Sequence, residues 1–252
     1  MTATIGLEQL VNESSLLDRV DRKYLLPLTE LAEFDHRLPD GVRVLQIDGM
    51  TWFGYRSCYY DTPGLACYFD AGRRRRRRFK VRTREYLHTS QRWLEVKTRG
   101  PRGTTIKDRI ERRTSDDDLT LDELRWITET LRERGIADAP VVTLIPALTT
   151  AYRRRTVQYT QPQGAPVSRL TIDVDLACGL PATCPNGPLE IDFDRFIVVE
   201  TKGAARPSRV DRVLWSMGHR PLHVSKYGLG TAALRPDVPE LKWHHVLNRY
   251  LA

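Results

Sequence analysis

No apolar stretch in the 252 residues approaches the roughly 18 to 20 that a membrane-spanning helix needs, so no membrane segment is expected. The opening MTATIGLEQLVNESS has no basic stretch leading into an apolar core, so no secretory signal is expected either. Cysteine is scarce. Cys58, Cys67, Cys178 and Cys184 form no CxxC pair, and none stands beside a histidine at zinc spacing. A cytoplasmic protein with reduced thiols is the reading that follows. His244-His245 reads as a solvated helix position rather than a metal site. GxGxxG, Walker, HExxH and GxSxG motifs are all missing, which takes weight from the common nucleotide folds and hydrolase triads. Repeats and Ser- or Gly-rich linkers are missing too, and one domain over residues 1–252 is expected.

What is present is charge, unevenly placed. Hydrophobic residues make up 40% and charged residues 29%, the balance of a folded chain rather than a disordered one. The net charge is +8, yet Arg73 to Arg78 are six consecutive arginines. Setting those six aside leaves thirty-four basic against thirty-two acidic residues. Concentrated charge suggests a local anionic partner more than a uniformly basic surface.

Residues 6–18 read as a short helix, 19–27 as a strand closed by proline, 29–38 as a helix and 42–61 as one or two strands. Asp61-Thr62-Pro63 is a turn signal, with a short helix following from Gly64. Residues 76–87, 91–99 and 104–112 read as three strands of an antiparallel meander. Thr120 followed by Glu123 is a capping box, and Gly135 ends the helix it starts. Strands resume at 147–160, 167–177, 188–193 and 196–202. A helix at 207–217, a short segment through Ser225-Lys226-Tyr227 and a helix at 239–250 complete the chain. About eight strands clustered in sequence point to an α+β fold with a largely antiparallel sheet.

Side chains on a strand alternate faces with period two. In 76–84 the even positions are Arg76, Arg78, Lys80, Arg82 and Arg84, five cations on one face, with Phe79 and Val81 opposite. Trp93, Glu95, Lys97 and Arg99 share a face of the next strand, and Thr105, Lys107, Arg109 and Glu111 one of the third. Arg19, Asp21 and Lys23 line up early in the chain. Arg169, Thr171, Asp173 and Asp175 do so later, as do Val198, Glu200 and Lys202. A sheet with one wet face explains alternation alone. It explains less well why cations recur on neighbouring strands, where like charges repel. A face that binds a polyanion would tolerate them, and about eight strands can close into a barrel around it. Both readings stay open on pattern alone. Aromatics for base stacking are sparse near the arginine run, and no nucleic-acid partner is expected.

The segments DRKYLLP (21–27), YYDTPGLACYFD (59–70), FKVRTREY (79–86), WLEVKTRG (93–100), TIKDRI (105–110), AYRRRT (151–156), RLTIDVDL (169–176), VVETKG (198–203) and SKYGLG (225–230) occur in the order found in the VTC domain. The chain therefore resembles the catalytic domain of the vacuolar transporter chaperone polyphosphate polymerase. That family belongs to the triphosphate tunnel metalloenzymes, related to the CYTH group. The resemblance spans about residues 19–230.

The resemblance implies an antiparallel closed β-barrel enclosing a basic tunnel and flanked by helices. It implies metal-dependent transfer of the ATP γ-phosphoryl group onto a growing polyphosphate chain, with Mn²⁺ or Mg²⁺. Lys23, Arg82, Arg84, Lys97 and Lys226 take the positions of the family's basic catalytic residues, and Glu200 that of its metal-binding glutamate. Lys107 matches the lysine of the following strand. Arg154 matches the arginine after the family's tyrosine, with Arg153 and Arg155 as competing registers. Arg56, Arg78, Lys80, Arg169 and Lys202 are additional substrate-binding cations. Two departures stand out. Arg19, Asp21 and Lys23 replace the E-x-E-x-K start of CYTH enzymes, which argues against a two-metal hydrolase. His223 stands where a second lysine can occur. Neither an SPX domain nor a membrane segment is recognised in the chain, so a separate membrane partner stays open. The alternatives are a triphosphatase and a non-catalytic polyanion-binding module.

Overall fold

The computed structural model describes residues 3–13, 20–100, 104–159, 168–181 and 189–250. Arg19, Cys184 and the end of the helix expected over 6–18 lie outside them. The described residues fall into two compact units. One comprises Met1–Gly54, Tyr152–Leu176 and Phe193–His223. The other comprises Tyr55–Ala151, Ala177–Asp192 and Val224–Ala252.

In the first unit, β1 (Ala3–Ile5) pairs in parallel with β3 (Arg43–Leu45). Between them come α1 (Leu7–Glu13), β2 (Val20–Pro27) and α2 (Leu31–His36). In α1 only Leu10 is buried, whereas Leu7 and Val11 are exposed. β2 is antiparallel to β11 (Phe196–Gly203), and β11 to β9 (Ser168–Gly179). Alternation dictates the core. Tyr24, Leu26, Ile172, Ile197 and Val199 point one way and meet Phe34 of α2 and Val210 and Leu214 of α5 (Arg209–Ser216). Ser208 caps α5 in a box with Asp211. Asp211 is fully buried and also accepts from the hydroxyls of Tyr24 and Thr201, both at 2.7 Å.

The second unit holds most of β4 (Phe53–Asp61), then α3 (Ala66–Gly72), β5 (Phe79–Tyr86), β6 (Gln91–Arg99), β7 (Thr105–Arg112) and α4 (Leu121–Glu133). The ladders β4–β5, β5–β6 and β6–β7 are antiparallel, as the meander pattern predicts. Cys58, Tyr60, Phe79, Val81, Leu94 and Val96 bury one face against Ile127 and Leu131 of α4. The Thr120–Glu123 capping box is formed. β8 (Ile145–Tyr159) and β9 run through both units, and β10 (Glu190–Asp192) pairs with β9. α6 (Lys226–Leu234) and α7 (His244–Tyr250) end the described chain.

The main strand order is β2-β11-β9-β8-β4-β5-β6-β7, an eight-strand path in a large sheet. The α+β, largely antiparallel class therefore holds. Closure does not follow from hydrogen bonding, because among the described residues no ladder joins β2 to β7. Two local expectations are corrected. Arg76 and Arg78 are not strand residues: the run Arg73–Arg78 lies in the loop between α3 and β5, which begins at Phe79. The segment at Ser225–Tyr227 opens a nine-residue helix rather than an isolated short piece.

Candidate functional site

In the second unit, the face of β4–β7 away from the core carries ionic side chains in rungs. Lys80 stands opposite Lys97, and Lys97 opposite Lys107. Arg82 stands opposite Glu95, and Glu95 opposite Arg109. Arg84 stands opposite Trp93, and Trp93 opposite Glu111. Tyr59 extends the second rung and Ser57 the third. Period-two alternation thus collects Lys80, Arg82, Arg84, Lys97 and Lys107 on one surface.

Glu95 organises that surface, a role the sequence reading did not assign to it. Its side chain is fully buried, and Arg82 donates to it through Nε at 2.7 Å and Nη2 at 2.5 Å. Lys107 Nζ lies 3.4 Å from its other oxygen. Burial pushes the Glu95 carboxyl up. Arg82, Arg84, Lys97 and Lys107 outweigh that and hold it well below the usual carboxylate range. Arg82 also donates to the Tyr59 hydroxyl at 3.0 Å, and Arg84 lies over the Tyr55 ring. Burial draws the Lys107 ammonium down despite Glu95, and Arg109 and Arg82 add to that. The signal for Glu95 was its parity with Trp93 and Lys97.

A second carboxylate holds the edge of this surface. Asp61 is fully buried and accepts from the backbone N–H groups of Thr62, Cys67 and Tyr68, each at 2.8 Å, and from the Tyr227 hydroxyl. It thereby ties the first turn of α3 to α6. Ser225 caps α6, accepting from Gly228 N at 3.2 Å, and its hydroxyl also receives Lys80 Nζ at 2.6 Å. Lys226 follows that cap directly. Its charge bears on the Cys178 thiol, which burial pushes up to about 12.

Arg56 is not brought to this surface. It pairs with Glu85 in register, on the face that carries Cys58 and Tyr60, and its Nη2 reaches Asp117 at 2.9 Å. Arg78 folds back from the turn onto the carbonyl oxygens of Arg74 at 3.3 Å and Arg75 at 2.5 Å.

The first unit has its own ionic surface, again opposite its core. Glu200 stands between Lys23 of β2 and Thr171 of β9, and Lys202 between Asp21 and Arg169. Glu200 Oε1 lies 3.2 Å from Lys23 Nζ, and Oε2 lies 3.8 Å from Lys202 Nζ. Burial works against the Lys23 charge, and Glu200 and Asp21 reverse that, raising its pKa. Arg154 is the register that points to a buried acid. It grips Asp173 with Nε at 2.6 Å and Nη2 at 2.9 Å, and that carboxylate keeps it charged against the cost of burial. Arg153 pairs with Asp175 and Arg155 with Asp35. Asp173 and Asp175 thus serve as arginine partners.

Among the described residues no three His, Cys, Asp or Glu side chains cluster as a metal cage. Glu200 offers one carboxylate between two lysines. That donor set fits a divalent ion delivered with phosphate and water oxygens, the manner Mg²⁺ favours, rather than a resident all-protein site.

Two ionic surfaces rich in arginine and lysine, each backed by its own apolar cluster, define an α+β sheet protein with cations gathered off the core face. The chain belongs to the VTC domain family, whose sequence profile matches residues 18–235. No curated protein matches it. Among solved structures it is similar to a candidate adenylate cyclase from Bacillus halodurans, at 13% identity and TM-score 0.46 over 82% of this chain and 93% of that one. It is similar to a conserved hypothetical protein from Pyrococcus furiosus at 11% identity and TM-score 0.43, over 82% and 97%. A candidate adenylyl cyclase from Hippeastrum, reported to have a dominant triphosphatase activity, aligns at 13% identity and TM-score 0.44 over 86% and 96%. At these scores the likenesses carry no argument about chemistry. No helix among the described residues is long and apolar enough to cross a membrane.

Proposed function

We propose that this chain is a polyphosphate polymerase, transferring the γ-phosphoryl group of ATP onto a growing polyphosphate chain. The observation that carries the reading is the Lys80–Lys97–Lys107 rung beside Arg82 and Arg84, in a chain of the VTC domain family. Three lysines abreast repel one another, and a phosphate chain supplies the anions that offset them. Phosphoryl transfer needs positioning and charge stabilisation more than covalent help. Arg84 presents a fork for phosphate oxygens, and Lys80, Lys97, Lys107 and Lys226 act as point charges. Arg82, held by Glu95 and the Tyr59 hydroxyl, adds its charge to this surface. In the first unit, Lys23, Arg154, Arg169 and Lys202 bind phosphate, and Glu200 contributes to Mn²⁺ or Mg²⁺. Bound with the substrate, that ion neutralises charge on the phosphate oxygens. The closed barrel, the single tunnel domain over 1–252 and a separate membrane partner belong to this proposal as implied by the family, and the cytoplasmic location as read from the cysteines.

Incubation with ATP and Mn²⁺ tests the reading. Long-chain polyphosphate is the expected product, and it should disappear in Lys97→Ala and Glu200→Gln. Orthophosphate released from tripolyphosphate, with no polymer, assigns a triphosphatase instead. Binding without turnover leaves a polyanion-binding module.

A further inference from the structure

The arginine run is left over from that surface. Arg73–Arg78 link α3 to β5, and all but Arg78 are exposed. Two other cations are brought to them. Thr98 pairs with Phe79, so Arg99, one residue on, comes level with Arg78 where the ladder ends. Lys242 arrives from the 3-10 turn Leu241–Trp243 and donates to the Ala71 carbonyl in the last turn of α3. Leu241 packs so closely on Gly72 that a Cβ there would lie 2.2 Å from its Cδ1, which fixes this turn against the run. Arg74 has φ +58, and its carbonyl receives the Arg78 guanidinium.

Among the described residues, Arg74, Arg78, Arg99 and Lys242 make no ion pair. Burial pushes the Lys242 ammonium down to about 8, helped by Arg78, Arg74 and Arg99. Burial, Arg99 and Arg74 likewise lower Arg78. Unneutralised like charges oppose folding, and the fold brings these together from three segments. Arg99 is two residues beyond Lys97 on β6, hence on the same face and about 7 Å farther along. Phe69 is the partly exposed ring beside the run, and Arg73 covers it at 4.9 Å. That leaves little for base stacking and favours a phosphate chain over RNA.

We propose that Arg74, Arg78, Arg99 and Lys242 form a second anion site, which holds a distal segment of a condensed-phosphate chain whose end lies on the Lys80–Lys97–Lys107 rung. The inference rests on the phosphate reading of that rung. It makes affinity depend on chain length, because two linked sites bind with an effective-concentration advantage that grows as the chain covers more of both.

Calorimetric titration of the full chain with tripolyphosphate and with long-chain polyphosphate, across a range of salt, tests it. The test variant is Arg74→Asn with Arg99→Ala. Both side chains are exposed, and asparagine tolerates the positive φ. Expected is a roughly tenfold loss for the long chain, a salt slope shallower by roughly one to two, and a clearly smaller loss for tripolyphosphate. Long-chain binding should also take up protons near pH 8 to 9 as the anion restores the Lys242 charge, and Lys242→Gln should abolish that uptake. Equal losses for both ligands, or none for either, overturn the proposal. So does a loss confined to single-stranded RNA or to phosphatidylserine vesicles. Lys97→Ala is the reference for the rung. If it leaves tripolyphosphate binding intact, the reading of the rung falls, while the second site still stands or falls on the long-chain result.

Discussion

Arg82 and Glu95 face each other across β5 and β6, and two donors of the guanidinium meet one carboxylate oxygen, at 2.7 and 2.5 Å. The pair is nearly closed to solvent: Glu95 is fully buried and the Arg82 side chain 8% exposed. A phosphate on this surface would therefore meet Arg82 already oriented, its charge shared with Glu95.

Glu95→Gln should leave Arg82, Lys97 and Lys107 without their common counter-charge. A loss of about 3–5 kcal/mol is expected in urea unfolding, the usual cost of breaking a buried pair from one side. The acid limb should change as well. The Glu95 carboxyl is held below its unfolded value, so it stabilises the fold above about pH 4.3 and loses that contribution as pH falls further. The glutamine variant should show a shallower decline of stability below that pH.

Arg154 and Asp173 offer a cleaner cycle. Asp173→Asn or Arg154→Met alone should destabilise by about 3–5 kcal/mol, because each removes the paired charge from a buried partner. Replacing both together should cost much less than the two losses added. The coupling, at least about 1 kcal/mol, is read from a double-mutant cycle in denaturant.

Gly228→Ala should destabilise, since its Cβ would fall 2.1 Å from the Trp243 ring, and Trp243 is fully buried. Overpacking of this kind costs about 1–3 kcal/mol. Gly64→Ala meets nothing within 4 Å and should melt as wild type does. Thermal unfolding of the two variants makes the comparison.

Lys242 should be acylated at pH 8 ahead of the other lysines, its pKa being about 8 and its neutral fraction correspondingly large. Peptide mapping by mass spectrometry reads the order of labelling. The folded pKa of Lys242 lies below the unfolded value of about 10.4, so the folded state sheds the proton first and stability rises with pH between the two. Lys242→Met should remove that rise.

The strands were legible wherever alternation met a turn signal. β6 falls at 91–99 as read, and the Thr120–Glu123 box starts α4. The arginine run was misplaced because six identical residues carry no parity. Its left-handed Arg74 and the contacts of Arg78 to nearby carbonyls make it a turn. α6 escaped because Gly228 and Gly230 are poor helix formers. They are there because Trp243 packs on one, and Cys178 and Leu148 on the other. The cations of the surface were readable from parity. Which of them are held by Glu95 or Asp173, and that Arg56 faces the other way, depends on cross-strand partners that one strand's pattern does not contain.

Asp61 receives three N–H groups from its own neighbourhood and a fourth donor, Tyr227, from 166 residues later. Tyr68 likewise waits for the carbonyl of Pro239 and the ring of Trp243. During synthesis the chain therefore makes β4, α3 and β5 long before the segment that covers them exists. A ribosome-held chain ending before Ser225 would leave Tyr59 and Tyr68 uncovered and Asp61 one donor short until residues 225–243 emerged. Truncation before residue 225 should therefore give a chain more readily cleaved by protease than the full chain, rather than one that is merely less active.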